Sequence, residues 1–298
     1  MRADAAAVLR AMPAVFVLIW STGFVVARFG MPHAPPLGFL AVRYALSIAA
    51  SLLWVWWARA AWPRSGKQWL HLGLTGVLMH AGYLGGVWVA VKGGLGAGLA
   101  ALMVGLQPIL TALWLSASGS SHRVGARQWL GLALGLAGLL LVLGDKLALG
   151  EASLANVAAG LVALLCITAG TLYQKRWVLA CDVRTANTVQ LLAALVVTAP
   201  LALLEHGPVQ MHLELVGAMV WSVLVLTLGG SSLLYMLIQR GAATAVTSLM
   251  YLVPPTTAVM AWALFNETLS ASVLAGLALA AAGVALVVRT PTLPKEAL

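Results

Sequence analysis

His80 and Tyr83 lie three residues apart, on one face of any helix that holds them, and Trp88 follows in the same apolar run. Such a trio can hydrogen-bond and stack a solute, or it can pack and satisfy itself. Arg43 is the one Lys or Arg deep within an apolar run, and a charge there is by default a candidate for binding or gating. Its bland reading is an arginine that snorkels to the rim, since it lies about two turns from the end of the run. Gln107 stands immediately before Pro108, and Pro254 and Pro255 interrupt a second apolar run. A proline within a helix frees carbonyls and bends the chain, so these three are candidate hinges.

Catalytic chemistry finds little to work with. All eight acidic residues fall in tails, loops or the ends of apolar runs, and the chain has no Walker loop, zinc motif or nucleophile and base pair. Cys166 and Cys181 give neither a disulfide framework nor metal-ligand spacing. Neither a cofactor nor a metal is expected. Without an embedded carboxylate, exchange of a cationic drug for protons is disfavoured, and His80 is left as the group that could titrate inside the membrane.

The elements that position these residues follow from composition. Of 298 residues 62% are hydrophobic and 8% charged, where a soluble domain carries roughly 25% charged residues. The apolar runs are of helix-spanning length, which excludes an outer-membrane barrel and leaves an all-α polytopic membrane protein. Punctuation by Pro, Gly and charge predicts ten transmembrane helices near 12–29, 37–57, 70–91, 95–117, 126–143, 156–177, 185–204, 215–239, 243–265 and 271–288. With these connections 13 of the 17 Lys and Arg share the side of the N-terminus, and only Arg28, Lys92 and Lys146 stand opposite. The positive-inside rule then puts both termini in the cytoplasm. The net charge of +9 thus reads as membrane orientation, and no nucleic-acid partner is expected.

The chain also repeats itself. Residues 131–143 match 276–288 at eight of 13 positions, and an offset of 147 pairs Leu102, Met103 and Pro108 with Leu249, Met250 and Pro255. The same offset pairs Gly23 with Gly170, Arg28 with Lys175 and Gly94 with Gly241. Two units follow, 1–147 and 148–298, of five helices each. Five is odd, so the second unit is inverted, the architecture of an alternating-access carrier.

Sorting helices by polar and aromatic residues near mid-membrane predicts a cavity lined by helices 1, 3, 4, 6, 8 and 9. The expected solute-binding residues are Trp20, Ser21, His80, Tyr83, Trp88, Met103, Gln107, Thr168, Tyr173, Tyr235 and Tyr251, with Arg43, Pro108, Pro254 and Pro255 as gate and hinges. Helices 5 and 10 are apolar and glycine-rich, with Gly131 and Gly135 forming a small-xxx-small pair suited to close helix packing, and are expected outside the cavity.

The repeat, the Trp20-Ser21-Thr22-Gly23 segment, Pro36 with Arg43, the prolines of helices 4 and 9, and Asn266-Glu267 after helix 9 together resemble the EamA type of the drug/metabolite transporter superfamily. The resemblance covers roughly residues 12–288 and extends to exporters of the YddG type. Two positions depart from it: Ser120 stands at the register partner of Glu267, and Ser21 stands where many members have Gly. The resemblance implies export of aromatic or other neutral amino acids across a bacterial inner membrane, with a small molecule and the bilayer as partners. The oligomeric state stays open, a monomer being sufficient. Competing readings are export of another solute class such as drugs, a membrane-embedded transferase or hydrolase, and a channel.

Overall fold

The computed structural model describes residues 2–117, 125–148, 152–230, 233 and 252–288. Within them the chain is helical, in the order α1 (Arg2–Gly30), α2 (Pro36–Trp57), α3 (Gly66–Lys92), α4 in two arms (α4a, Ala97–Val104; α4b, Gln107–Ala117), α5 (Ala126–Ala148), α6 (Leu154–Trp177), α7 (Val183–Leu203), α8 (Leu213–Gly230), α9 (Val253–Phe265) and α10 (Ala271–Val288). Six helical stretches, those of α2, α3, α6, α7, α8 and Trp129–Ala148 within α5, are long and apolar enough to cross a membrane; the remaining apolar stretches are shorter.

Local chemistry sets the ends. Pro36 occupies the first turn of α2, where its missing N–H is no loss. Ser153 caps α6 by accepting from Asn156 N–H at 3.3 Å. Gly94, at φ 107°, turns the chain between α3 and α4 in a conformation that a side chain would strain. Asp182 caps α7 by accepting from Arg184 N–H at 2.9 Å. The Arg184 side chain also donates to it at 3.0 and 2.7 Å and holds its carboxyl below the ordinary carboxylate range. A lowered folded-state value stabilises the protein above that range, and the benefit is lost as the pH falls through the lowered value. Asp182→Asn keeps a good N-cap but loses the ion pair with Arg184, and is therefore expected to cost at most about 1 kcal/mol, or roughly 2–4 °C of melting temperature, at neutral pH. The gap should close in acid, as thermal melts across pH would register.

Loops meet on two faces. On one, Gln68 Nε2 donates to Leu179 O at 2.8 Å and Thr185 Oγ1 to Ala61 O at 3.0 Å, joining the α2–α3 and α6–α7 connections. On the other, Lys92 Nζ donates to Met31 O at 2.6 Å, Gln210 N–H to His33 O at 2.8 Å, and Gly38 N–H to Glu205 at 2.9 Å. Glu267, just past α9, accepts from Ala97 N–H at 3.0 Å, and Asp145 of α5 accepts from Ser272 of α10 at 2.6 Å.

Side-by-side packing runs mainly between the two halves of the chain. The most extensive interfaces are α5 with α10, α2 with α7, α3 with α6 and α7, and α4 with α9; α1 packs on α9 and α8. Where α5 meets α10 the expectation of glycine contact holds in detail. A Cβ at Gly283 would come within 2.4 Å of Gly131 O, and one at Gly138 within 2.5 Å of Gly276 O.

Candidate functional site

Two helices with wide turns flank Arg43. Residues Val77–Gly82 of α3 and Trp221–Gly230 of α8 wind as π-helix, a geometry that often marks functional sites. His80 lies in the first segment and Thr227 in the second. Arg43 is buried, and its Nη2 donates to Thr227 Oγ1 at 3.3 Å. Thr227 in turn donates to Ser222 O at 2.8 Å, a bond across the π turn. Thr227 lies 14 residues beyond Leu213, about 20 Å along α8. The guanidinium thus reaches deep along α8, away from its Leu213 end, contrary to the snorkelling alternative. Tyr44, next on α2, donates to His80 O at 2.8 Å. Arg43 lies within electrostatic reach of His80 and Tyr83, and the His80 ring faces Gln190 of α7.

The other expected residues fall into separate groups. Ser21 of α1 is wholly buried; its hydroxyl faces Val253 O at 3.5 Å, and its carbonyl accepts from Thr257 at 3.4 Å, binding α1 to the start of α9. Trp20, half-buried, rests on Phe16 at a ring distance of 5.4 Å. Trp88 is enclosed, stacked on Phe39 at 4.4 Å and touching Gly30, so no solute reaches it in this conformation. Met103 is also enclosed and fills the space that a side chain at Gly160 would need. Thr168 is buried and turned onto its own helix, donating to Leu164 O at 2.7 Å. Gln107 Nε2 donates to Thr171 Oγ1 at 2.9 Å, linking α4b to α6. Tyr173 stands near the end of α6, where its hydroxyl meets His71 Nδ1 at 2.7 Å and His71 stacks on Trp177 at 5.6 Å. Tyr235 and Tyr251 lie outside the described residues.

The prolines require a correction. Pro108 is not embedded in a continuous helix, and Pro254 and Pro255 open α9 as far as the described residues reach. Pro108 is the second residue of α4b, after a break at Gly105 and Leu106, and Pro254 and Pro255 stand in the first turn of α9. In a first turn the missing N–H leaves no bond unmade, so these prolines mark where helices begin. The two sites are adjacent in space: a Cβ at Gly105 would lie 2.7 Å from Pro254 Cγ.

Two cavities open beside this junction. One, a narrow cleft, has walls from Leu102, Gly105, Pro254, Pro255 and α10. The other extends toward Glu267 and Lys146. Both share Leu102 and Leu277, and neither is lined by Arg43 or His80. Both have a wall from α10, the helix expected outside any cavity.

Sequence reasoning passed over a stripe on α2. Arg43, Ser47 and Ser51 recur every fourth residue on one face and are all buried, and Tyr44 beside them is wholly buried. The every-fourth-residue spacing is legible in the sequence, but serines in an apolar run carry no charge to mark them as site residues. Gln190, Ser222 and Thr227 had no comparable signal, since hydroxyls and amides in apolar runs need not face a site.

Comparison with known proteins places this geometry. A "Probable amino-acid metabolite efflux pump" of Salmonella typhimurium is 26% identical over 277 residues, covering 90% of each chain. An "Uncharacterized transporter" of Archaeoglobus fulgidus is 24% identical over 265 residues, 85% of this chain and 88% of that one. A solved crystal structure, 19% identical, superposes with a TM-score of 0.65 over 93% of this chain and 95% of its own, a likeness of fold. The sequence pattern of one family fits the chain twice, over residues 11–144 and again over 154–289, and the chain belongs to that family, the EamA-like transporter family.

Proposed function

We propose that this transporter exports neutral, chiefly aromatic, amino acids across a bacterial inner membrane by alternating access, and not by catalysing a reaction. The proposed topology is ten spans in two inverted five-helix units, 1–147 and 148–298, with both termini cytoplasmic. The observation that carries the reading is the twice-matched family pattern, whose two copies pack helix against counterpart helix. Interfaces α2 with α7, α4 with α9 and α5 with α10 each pair a helix with the one five places on, and α3 with α6 has its counterpart in α8 with α1. A twofold axis in the membrane plane generates such a list. Both π turns obey it, falling in α3 and α8. In this orientation the Lys92, Glu205, Glu267 and Asp145 contacts close the periplasmic face.

The amino-acid assignment draws on the name of the Salmonella relative and on a half-apolar, carboxylate-free interior, which suits an apolar side chain on a zwitterionic head. In proteoliposomes holding labelled amino acids, efflux is expected for phenylalanine, tryptophan, leucine and similar neutral substrates, down their own gradient and with no imposed pH gradient. A strict need for a pH gradient would move the mechanism to proton coupling through His80. Transport of organic cations in place of amino acids would favour drug export.

A further inference from the structure

We propose that Arg43 is the receptor for the carboxylate of the transported solute, with hydroxyls of α2 and α8 completing the site; this deepens the export reading above. Arg43 is 6% exposed, and a guanidinium keeps its proton. A charge in that setting is costly unless it is paired. The sequence has no Asp or Glu within the predicted spans, so the partner charge comes from outside the chain. Among the described residues the guanidinium makes one hydrogen bond, to Thr227, and its Nε has no partner. The hydroxyls of Ser47, one turn along α2, and Ser222, one π turn from Thr227, are likewise buried and unpartnered. An unmade bond on a buried donor costs free energy, and with Ser51, one further turn along α2, four such groups on two packed helices leave donors without an acceptor.

The chemistry selects the acceptor. An organic cation is repelled. A phosphate dianion would leave one negative charge uncompensated, because Arg43 is the single Lys or Arg in the interior of a predicted span. A monocarboxylate balances the charge, and its planar pair of oxygens fits a guanidinium fork. The phenol of Tyr83 and the ring of His80 are set beside the same charge, as an aromatic wall for the rest of the molecule.

Ligand-induced thermal stabilisation of the purified, full-length protein in detergent tests this. The probes are phenylalanine, phenylpyruvate, phenylalaninamide, phenethylamine and phenyl phosphate. Phenylalanine and phenylpyruvate are expected to stabilise the wild type. The amide and the amine should bind at least tenfold more weakly, and phenyl phosphate likewise. Arg43→Lys, which keeps the charge without the fork, should weaken both carboxylates about tenfold, and Thr227→Val several-fold. A second measurement needs no ligand: Arg43→Met should raise the melting temperature of the empty protein, where a merely structural arginine would lower it. Stabilisation by the amine or amide equal to that by phenylalanine would overturn the proposal, as would unaltered carboxylate binding in Arg43→Lys or a lowered melting temperature in Arg43→Met. Binding of phenylpyruvate without any amino acid would uphold the carboxylate site and defeat the amino-acid reading. Amino-acid transport indifferent to the carboxylate would do the reverse.

Discussion

Gly283→Val should lower the melting temperature by roughly 6–12 °C. At this position a Cβ would stand 2.4 Å from Gly131 O and 2.7 Å from Gly135 N, so the clash is with backbone that no rotamer can relieve. The rest of the α5–α10 interface is built the same way: a Cβ at Gly276 would stand 2.7 Å from Gly138 O. Small residues let membrane helices approach to this distance, and the attraction is the sum of close contacts that separation forfeits. Overpacking costs typically 1–3 kcal/mol, and a backbone clash belongs at or above the top of that range. A loss of about 3 kcal/mol corresponds to roughly 6–12 °C in melting temperature. Gly144→Val, on the partner helix α5 with nothing within 4 Å of its Cβ, is the control and should melt within about 2 °C of wild type. Size-exclusion chromatography after graded heating reads both.

Joining the two arms of α4 should abolish most transport while leaving the fold in place. The break has two local causes. Gly105 ends α4a, and Pro108 has no N–H to offer the carbonyl of Val104, so the helix restarts at Gln107. Leu106 N–H falls back on Met103 O at 3.2 Å, a tighter turn. In a Gly105→Ala/Pro108→Ala double variant the missing donor returns, the entropy penalty of glycine disappears, and a continuous helix becomes favourable. The new methyl at 105 also meets Pro254 Cγ, and straightening pulls Gln107 from Thr171. Discontinuous helices at the junction of two repeats are where such carriers hold and release solute. Transport is expected to fall tenfold or more in a protein that still folds, with a melting temperature several degrees lower because the added Cβ at 105 displaces Pro254. Normal transport in the double variant would reduce the break to passive shape.

Much of this architecture is legible in the sequence because hydrophobic runs and their punctuation obey simple physics. The span expected at 37–57 is α2 at Pro36–Trp57, and that expected at 271–288 is α10 at Ala271–Val288. Glycines repeated at 131, 135, 276 and 283 signal close helix packing, because only a missing side chain allows it; that α5 and α10 pack on each other is seen only in the structure. The π turns were not legible, since backbone winding leaves no mark on side-chain type. Nor was the Tyr173–His71 pair, made by residues 102 apart in the sequence, or the cap that Glu267 places on α4a. Proline position misled for a physical reason: the residue fixes φ and removes a donor equally in a kink and in a first turn, and the neighbouring Gly105 decides between them.

The central claim, a carrier that exposes one amino-acid site alternately to each side, is tested most directly by counterflow. Proteoliposomes loaded with excess unlabelled phenylalanine are diluted into a trace of labelled phenylalanine, with no pH gradient and no membrane potential. A carrier returns from each outward step loaded, so label is expected to accumulate transiently inside, well above the level reached by empty vesicles. Label that merely equilibrates, at a rate indifferent to the internal amino acid, would contradict the account and indicate a channel.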